Sequence, residues 1–219
     1  MVAGRSADVL MFSDPSWVIL LLCAAGYLLG SVPFGILVTH ALGLTDPRSA
    51  GSGNIGSTNV LRVGGKLAGA LTLLGDIGKG WLAAWGAGWW LGGESAVLLV
   101  ALCAVLGHLF PVFLRFNGGK GVATALGTIG GVAPWLGLAL GLIWLASLAV
   151  WRYSSGAALA AFAALPILSL WLRPSPIFLA FACAVTALIV IRHHANIARL
   201  LSGTEPKVGA SSASARAES

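Results

Sequence analysis

Long stretches of the chain carry no charged side chain, and short polar segments separate them. Residues 15–45, 95–114, 121–151, 153–172 and 174–191 contain no Asp, Glu, Lys or Arg. Each stretch is about long enough to cross ~30 Å of hydrocarbon as a helix that rises 1.5 Å per residue. The pattern therefore predicts an all-α integral membrane protein.

Seven hydrophobic segments follow from this pattern. Two of them come from dividing the stretch 121–151 at Gly130–Pro134, because glycine and proline interrupt helices and the stretch exceeds one crossing. The predicted segments are 16–42, 66–92, 95–114, 121–132, 135–151, 155–172 and 176–192.

The distribution of basic residues predicts the orientation, since Lys and Arg in short loops gather on the cytoplasmic side. With an external N-terminus, only Arg5 and Arg173 fall outside. The cytoplasmic loops then hold Arg48, Arg62, Lys66, Arg115, Lys120, Arg152, Arg192, Arg199, Lys207 and Arg216. We therefore predict seven transmembrane helices, with the N-terminus outside and the C-terminus cytoplasmic. The predicted parts are an extracytoplasmic segment 1–15, a membrane domain 16–205 and a flexible cytoplasmic tail 206–219.

Composition narrows the class of protein further. Of 219 residues, 58% are hydrophobic and 9% are charged, and the mean hydropathy is +0.91. A soluble protein is about 25% charged, so this composition excludes a soluble enzyme, a disordered chain and a nucleic-acid module with a solvated basic face. The net charge of +6 fits the orientation signal together with attraction to anionic lipids.

The first polar cluster, residues 46–62, combines glycines with hydroxyl, amide and arginine side chains. Glycine lets the backbone turn its N–H groups toward an anion. The run from Ser57 to Arg62 is predicted to be a short helix whose N-terminus points at that anion. The cluster predicts a phosphate site, and an ordinary polar turn between helices is the alternative.

The second cluster, residues 117–121, places Lys120 among Gly118, Gly119 and Gly121. It lacks the spacing of a nucleotide-binding P-loop and the strand that precedes one. A lysine at a helix start can still bind phosphate as a point charge. The alternative is a loop that serves only to orient the chain in the membrane.

In the third cluster, Arg192, His193, Asn196 and Arg199 recur every three or four residues and would share a helix face. His193 and Asn196 are candidates to take a proton from a hydroxyl and to orient the imidazole. The adjacent His193 and His194 suggest a metal, but too few further ligands cluster here, so we predict no metal site. A polar cap at the membrane surface is the alternative.

Asp76 and Lys79 stand one helical turn apart inside the second predicted span. Charges at membrane depth are costly and usually functional. An internal ion pair and a direct catalytic role both remain open for them. All three polar clusters fall on the cytoplasmic face in the predicted topology, which indicates a shared anionic ligand.

These residues resemble the bacterial acyl-phosphate:glycerol-3-phosphate acyltransferase family. The stretch Gly51–Asn59 is similar to the family's first motif. Gly107, His108 and Pro111 with Gly118–Gly121 are similar to the second, and Arg192, His193, Asn196, Ile197, Arg199, Leu200, Gly203 and Glu205 to the third. The motifs occur in order along most of the chain, and Ser57 departs from them where alanine is common.

The resemblance implies a seven-helix enzyme of the bacterial inner membrane, with its site facing the cytoplasm and membrane lipids as neighbours. It implies an acyl phosphate donor, a glycerol 3-phosphate acceptor, lysophosphatidic acid and inorganic phosphate as products, and no cofactor, metal or nucleic acid. His193 and Asn196 would be catalytic. Residues that would bind substrate phosphates are Ser52, Gly53, Asn54, Gly56, Thr58, Asn59, Arg62, Gly118, Gly119 and Lys120. The base is open between His193 and a substrate phosphate, whose second pKa is near 6.

Two other classes of function need consideration. A small-anion transporter would also use glycine loops and cations, but it usually has repeated halves, and the sequence shows no repeat. A phosphotransferase acting on nucleotide-activated lipids needs clustered aspartates for magnesium. The aspartates of this chain, Asp8, Asp14, Asp46 and Asp76, are scattered.

Overall fold

The computed structural model describes residues 14–209. Within this range the chain forms α-helices, one short 3-10 turn at Val112–Leu114 and connecting segments, with no strand. The helices are α1 Ser16–Ser31, α2 Phe34–Ala41, α3 Ser57–Trp90, α4 Glu94–Leu109, α5 Val122–Val132, α6 Pro134–Trp151, α7 Ser154–Leu172, α8 Pro176–Arg192 and α9 His194–Leu201. Residues 1–13 of the predicted external segment and 210–219 of the predicted tail lie outside the described residues.

The division of the stretch 121–151 is confirmed. Helix α5 ends at Val132 and α6 begins at Pro134, so the break falls within the glycine- and proline-containing segment. Pro134 occupies the first turn of α6, where its missing N–H leaves no hydrogen bond unmade.

The first predicted span is not a single straight helix, whereas the last predicted span, 176–192, is the single helix α8 and is followed by a bend. Helices α1 and α2 meet at 43° across Val32 and Pro33, and α8 and α9 meet at 63°. Proline explains the first break, because it removes a backbone donor and clashes with the preceding turn. The second bend falls at His193, which therefore lies at a junction and not within one continuous helix.

Helix α3 contains both the predicted short helix from Ser57 and the second predicted span. The two parts are separated by a kink at Gly65, where φ is 83° and ψ is −177°. An L-residue with a side chain rarely adopts this conformation, so glycine permits the change of direction. The polar beginning of α3 is thereby set at an angle to the part that runs through the bundle.

By length and hydropathy alone, three described helical segments can cross a membrane: Glu94–Leu114, Pro134–Trp151 and Ser154–Leu172. Counting each bent pair as one span raises the number to five. Helix α5 is short, with 11 residues, and α3 carries four charged side chains.

Glycines allow two pairs of helices to pack at very short separation. A Cβ on Gly80 of α3 would overlap the carbonyl oxygen of Thr124 in α5, and one on Gly127 of α5 would overlap that of Ile77. Helices α1 and α4 meet in the same way at Gly30. Such small-residue contacts are typical of helices that pack in membranes, where dispersion forces replace the hydrophobic effect.

The buried charges of α3 form an internal network. Lys79 Nζ lies 2.8 Å from Asp76 Oδ1 and donates to the carbonyl oxygen of Val32, 2.7 Å away. That carbonyl lies at the break after α1, where helical hydrogen bonding stops. His108 Nδ1 lies 3.6 Å from the same Asp76 oxygen. Of the two possibilities left open by the sequence, the geometry supports the ion pair.

The segment after α9 returns to the body of the protein. The N–H of Val208 donates to the carbonyl oxygen of Arg152 at 2.8 Å, and Arg152 Nη2 donates to the carbonyl oxygen of Val208 at 3.1 Å. Lys207 Nζ lies 5.7 Å from the centre of the Tyr153 ring. These contacts hold residues 203–208 across the junction between α6 and α7.

The close packing of α3 on α5 predicts different effects for two substitutions in α3. Gly80→Ala should destabilise the fold by about 1–3 kcal/mol because the new methyl group forces the helices apart. Gly86→Ala is the matched control, since its Cβ would meet no atom within 4 Å and alanine favours the helix. Thermal unfolding in detergent measures both, and equal midpoints would contradict the packing argument.

Candidate active site

A cavity of about 290 Å³ lies between α3, α5, α6, α7 and the segment from His193 to Pro206. Its polar wall consists of residues at helix ends and in loops. They are Ser52, Asn54, Gly56, Ser57, Thr58, Asn59, Arg62, Lys120, Ser154, Ser155, His193, Asn196, Arg199 and Glu205. The three polar clusters of the sequence therefore meet in one cavity, as predicted.

The rest of the wall is mostly apolar and comes from positions further along the helices. It includes Leu73, Ile77, Val122, Ala123, Leu126, Leu140, Gly141, Trp144, Leu145, Ala158, Ala161 and Phe162. Asp76 and His108 of the buried charge network also reach this wall. The cavity thus has a cationic polar end and an apolar arm that extends into the bundle.

Asn59 organises the first loop from within. Its Oδ1 accepts the N–H of Ser52 at 2.8 Å. Its Nδ2 lies 2.8, 3.1 and 2.9 Å from the carbonyl oxygens of Pro47, Ala50 and Asn54. The side chain is 2% exposed, and its amide is used within the loop. Asn59 therefore shapes the phosphate-binding segment predicted from the sequence, although it also lines the cavity.

Fewer backbone N–H groups of this loop are free to bind an anion than the sequence suggested. Those of Ser52 and Gly56 are bonded to the side chains of Asn59 and Asn54. The N–H groups of Ser57 and Thr58, in the first turn of α3, have no partner among residues 14–209. The N–H groups that are free to donate to a ligand are therefore those of the helix start, where the helix dipole also favours negative charge.

Thr58 and Arg62, at the start of α3, also face the cavity. Thr58 Oγ1 lies 2.8 Å from Ser154 Oγ, which joins α3 to the start of α7. Arg62 lies one turn further along α3 and lines the same wall. Gly53, which the sequence predicted as a phosphate-binding residue, is not in the wall; it forms a turn with φ of 70°.

Gly118 and Gly119 also lie outside the cavity wall. A Cβ on either residue would overlap His108, and the N–H of Gly119 donates to the carbonyl oxygen of His108 at 3.1 Å. Their own carbonyl oxygens accept hydrogen bonds from Arg192 at 2.9 and 3.2 Å. These glycines hold the loop against α4, and Lys120 is the member of the cluster that faces the cavity.

Arg192 is placed differently from what its spacing suggested. A continuous helix would have pointed it into the ligand site beside His193. Arg192 instead ends α8, before the bend that carries Asn196 and Arg199 in another direction. Its side chain contacts the loop of Gly118 and Gly119, and its guanidinium lies 5.5 Å from the centre of the Phe110 ring. Arg192 therefore connects the lysine loop to the histidine without lining the cavity.

Lys120 is a partly buried cation close to other cations. Burial lowers the pKa of its ammonium to about 8, with Arg199, Arg192 and Arg62 acting in the same direction and Glu205 opposing them. The ammonium is mostly protonated at neutral pH and loses its charge as pH rises through 8. A bound phosphate would stabilise the charged form.

One ring nitrogen of His193 is hydrogen-bonded to the backbone. Its Nδ1 lies 2.8 Å from the carbonyl oxygen of Ile189, and because a carbonyl oxygen only accepts, Nδ1 carries the proton. Burial, together with the charges of Lys120 and Arg192, lowers the pKa of the imidazole to about 4, although the Ile189 contact and the Glu205 carboxylate oppose this shift. The ring is therefore neutral at physiological pH, with Nε2 available as an acceptor.

Asn196 does not orient His193, contrary to the role the sequence suggested. Asn196 Nδ2 donates to Glu205 Oε1 at 2.6 Å. The carbonyl of Ile189, one turn before His193 in α8, fixes the imidazole instead. Spacing along the chain showed that the two residues are neighbours, but not which partner each would choose.

Glu205 is a central polar residue that the sequence analysis did not include in the predicted site. Its carboxylate accepts from Ser155 Oγ at 2.6 Å, Asn196 Nδ2 at 2.6 Å and Arg199 Nε at 2.7 Å. Burial opposes ionisation, but these hydrogen bonds outweigh it and lower the pKa of the carboxyl group. The ionised carboxylate joins α7, α9 and the returning segment, and so closes the polar end of the cavity.

Ser154 and Ser155 were also missed as site residues. The signal was present, since a pair of hydroxyls follows the basic Arg152 at the start of an apolar helix. Among residues 14–209, no three His, Cys, Asp or Glu side chains come together as a metal site requires.

Comparisons with known proteins agree on one family. Residues 20–203 match the family described as glycerol-3-phosphate acyltransferase. A glycerol-3-phosphate acyltransferase of Aromatoleum aromaticum is 50% identical over 192 residues, covering 88% of this chain and 98% of the relative. One of Burkholderia thailandensis is 51% identical over 195 residues, covering 87% and 96%.

Solved structures indicate the same family. The crystal structure of PlsY (YgiH), an integral membrane glycerol 3-phosphate acyltransferase, in its glycerol 3-phosphate form, superposes with a TM-score of 0.84 at 39% identity. The match covers 88% of this chain and 96% of PlsY. The sequence motifs, the helical fold and the relatives identify this chain as an acyltransferase that belongs to the glycerol-3-phosphate acyltransferase family.

Proposed function

We propose that this protein transfers a fatty acyl group from an acyl phosphate to the primary hydroxyl of glycerol 3-phosphate. The products are lysophosphatidic acid and inorganic phosphate. The observation that carries the proposal is the cavity, which joins a cationic polar end to an apolar arm. Both substrates carry phosphate and the donor carries an acyl chain, so one cavity of this kind suits both. A solved form of PlsY with lysophosphatidic acid, 39% identical to this chain, supports the product.

The cations and helix donors at the polar end would bind the two phosphates. Arg62 and Lys120 supply positive charge, and the N–H groups of Ser57 and Thr58 supply donors at the start of α3. Ser52, Asn54 and Gly56 complete this wall. Donors that are already in place stabilise the negative charge that develops on the acyl carbonyl oxygen and on the departing phosphate.

The reaction is a direct transfer. The acceptor hydroxyl oxygen forms a bond to the acyl carbonyl carbon, the bond from that carbon to the phosphate oxygen breaks, and the hydroxyl proton leaves. His193 is a weak base because its pKa is near 4, whereas the second pKa of a phosphate ester is about 6. We therefore assign the proton to a substrate phosphate and give His193 Nε2 the role of accepting a hydrogen bond from the acceptor.

The proposal includes the membrane arrangement. Helices α1 and α2 form one bent span, and α3 to α8 supply six more, which gives seven crossings with an external N-terminus. Arg62, Lys120, Arg152 and Arg199 share the polar end of the bundle, and the positive-inside rule assigns that end to the cytoplasm of a bacterial inner membrane. The ion pair of Glu94 and Arg173, at 3.0 Å, lies at the opposite end.

Product analysis tests the proposed reaction. Purified protein with hexadecanoyl phosphate and glycerol 3-phosphate should release one inorganic phosphate for each lysophosphatidic acid formed, without added metal. No acylated protein should accumulate when glycerol 3-phosphate is withheld. An equal rate with acyl-CoA and no phosphate release, or a trapped acyl-protein, would contradict direct transfer.

Substitution of His193 tests the assignment of the proton. His193→Ala should raise the KM for glycerol 3-phosphate by up to about tenfold, the value of one hydrogen bond, and should keep the acidic limb of the pH–rate profile. His194→Ala is the matched control, because that neighbouring side chain is exposed. If His193 were the general base, kcat would fall by roughly 100- to 10,000-fold, and the limb would disappear.

Deprotonation of Lys120 should cause the decrease of kcat/KM on the alkaline side of the pH–rate profile. Because the ammonium loses its proton near pH 8, kcat/KM should decrease as pH rises through that value. Lys120→Arg keeps the charge to higher pH and should move the limb upward, whereas Lys120→Ala should lower kcat/KM by roughly ten- to a hundredfold at pH 7. An unchanged limb in Lys120→Arg would show that another group titrates.

A further inference from the structure

Helix α6 lines the apolar arm of the cavity with three large side chains and one glycine. The large side chains are Leu140, Trp144 and Leu145, and the glycine is Gly141. Trp144 is four residues from Leu140 and three from Gly141, and Leu145 is four from Gly141, so the four positions occupy one face of the helix. Gly141 is thus a gap in an otherwise bulky wall.

The space beside Gly141 is open. A Cβ built on this residue would meet no other atom within 4 Å. Gly80 and Gly127 differ, since a Cβ on either would overlap the backbone of the facing helix. Gly141 is therefore not needed for helix packing, and glycine inside a helix destabilises it relative to alanine.

Other glycines of the bundle also have open space around them, but they do not border the cavity. Gly78 and Gly86 of α3 also have nothing within 4 Å of a built Cβ. Neither residue lines the cavity. Gly141 is distinguished by both features together, because it borders the apolar arm and leaves room there.

The depth of Gly141 indicates which part of a donor would pass it. It lies ten residues before Trp151, the end of α6, which corresponds to about 15 Å along the helix axis. Ser154 and Ser155 of the polar wall follow directly after that end. A donor whose phosphate lies at the polar wall would therefore bring the distal part of its acyl chain to Gly141.

We propose that Gly141 sets the length of acyl chain that this enzyme accepts, by leaving the space that the distal methylenes of a long-chain donor occupy. The proposal rests on the acyl transfer proposed above. A side chain at this position would enter that space, since its Cβ meets no atom within 4 Å. It therefore selects against long donors and leaves short ones unaffected.

The test compares Gly141→Leu and Gly141→Ala with the control Gly86→Leu, in which a side chain is added to open space away from the cavity. The measured quantity is the ratio of kcat/KM for hexadecanoyl phosphate to that for octanoyl phosphate. Each displaced methylene is worth about fourfold, and leucine displaces roughly three. The ratio should fall by roughly 50-fold in Gly141→Leu and about fourfold in Gly141→Ala, and should stay unchanged in Gly86→Leu.

The outcomes separate this inference from the proposed function. If Gly141→Leu loses activity equally with both donors, or loses none, the inference is overturned while acyl transfer stands. If Gly86→Leu changes the ratio as much as Gly141→Leu, the cavity is not the cause and the inference is likewise overturned. If the wild-type protein forms no lysophosphatidic acid from either donor, the proposed function itself fails.

Discussion

A polar group inside hydrocarbon must find its partner within the protein, and this constraint determines where polarity can occur in the bundle. Lys79 satisfies it twice, through the Asp76 carboxylate and through the carbonyl oxygen of Val32, which lies at the break before Pro33. The break in the first span and the buried cation of α3 are therefore parts of one arrangement. The polar residues of the three clusters line the cavity at one end of the bundle.

That polar end holds more positive than negative charge. Arg62, Lys120 and Arg199 line it, and the Glu205 carboxylate is already bonded to Ser155, Asn196 and Arg199. Mutual repulsion and burial explain why the pKa of Lys120 is low before any anion binds. In the proposed reaction the substrate phosphates would compensate this excess positive charge, so binding and catalysis would depend on the same electrostatic attraction.

The sequence predicted the elements better than their contacts. Hydropathy and Pro134 located the division between α5 and α6, and the polar pattern after Gly56 located the start of α3. Partner choice was not predictable, because spacing gives the face of a helix but not the bend at His193. Hence Arg192 bonds a neighbouring loop, and Ile189 in place of Asn196 fixes the imidazole. Glu205 lies in an irregular segment, where periodicity gives no signal.

Closure of the site requires the segment after α9, which is synthesised after helices α1 to α9. Thr58 pairs with Ser154 across 96 residues, and Ser155 pairs with Glu205 across another 50. The cavity is therefore closed only after Glu205 has left the ribosome and the helices before it have been inserted. A chain truncated before Glu205 would carry every cation of the site and still leave it open to water. Closure of the site is thus coupled to the synthesis of the segment after α9.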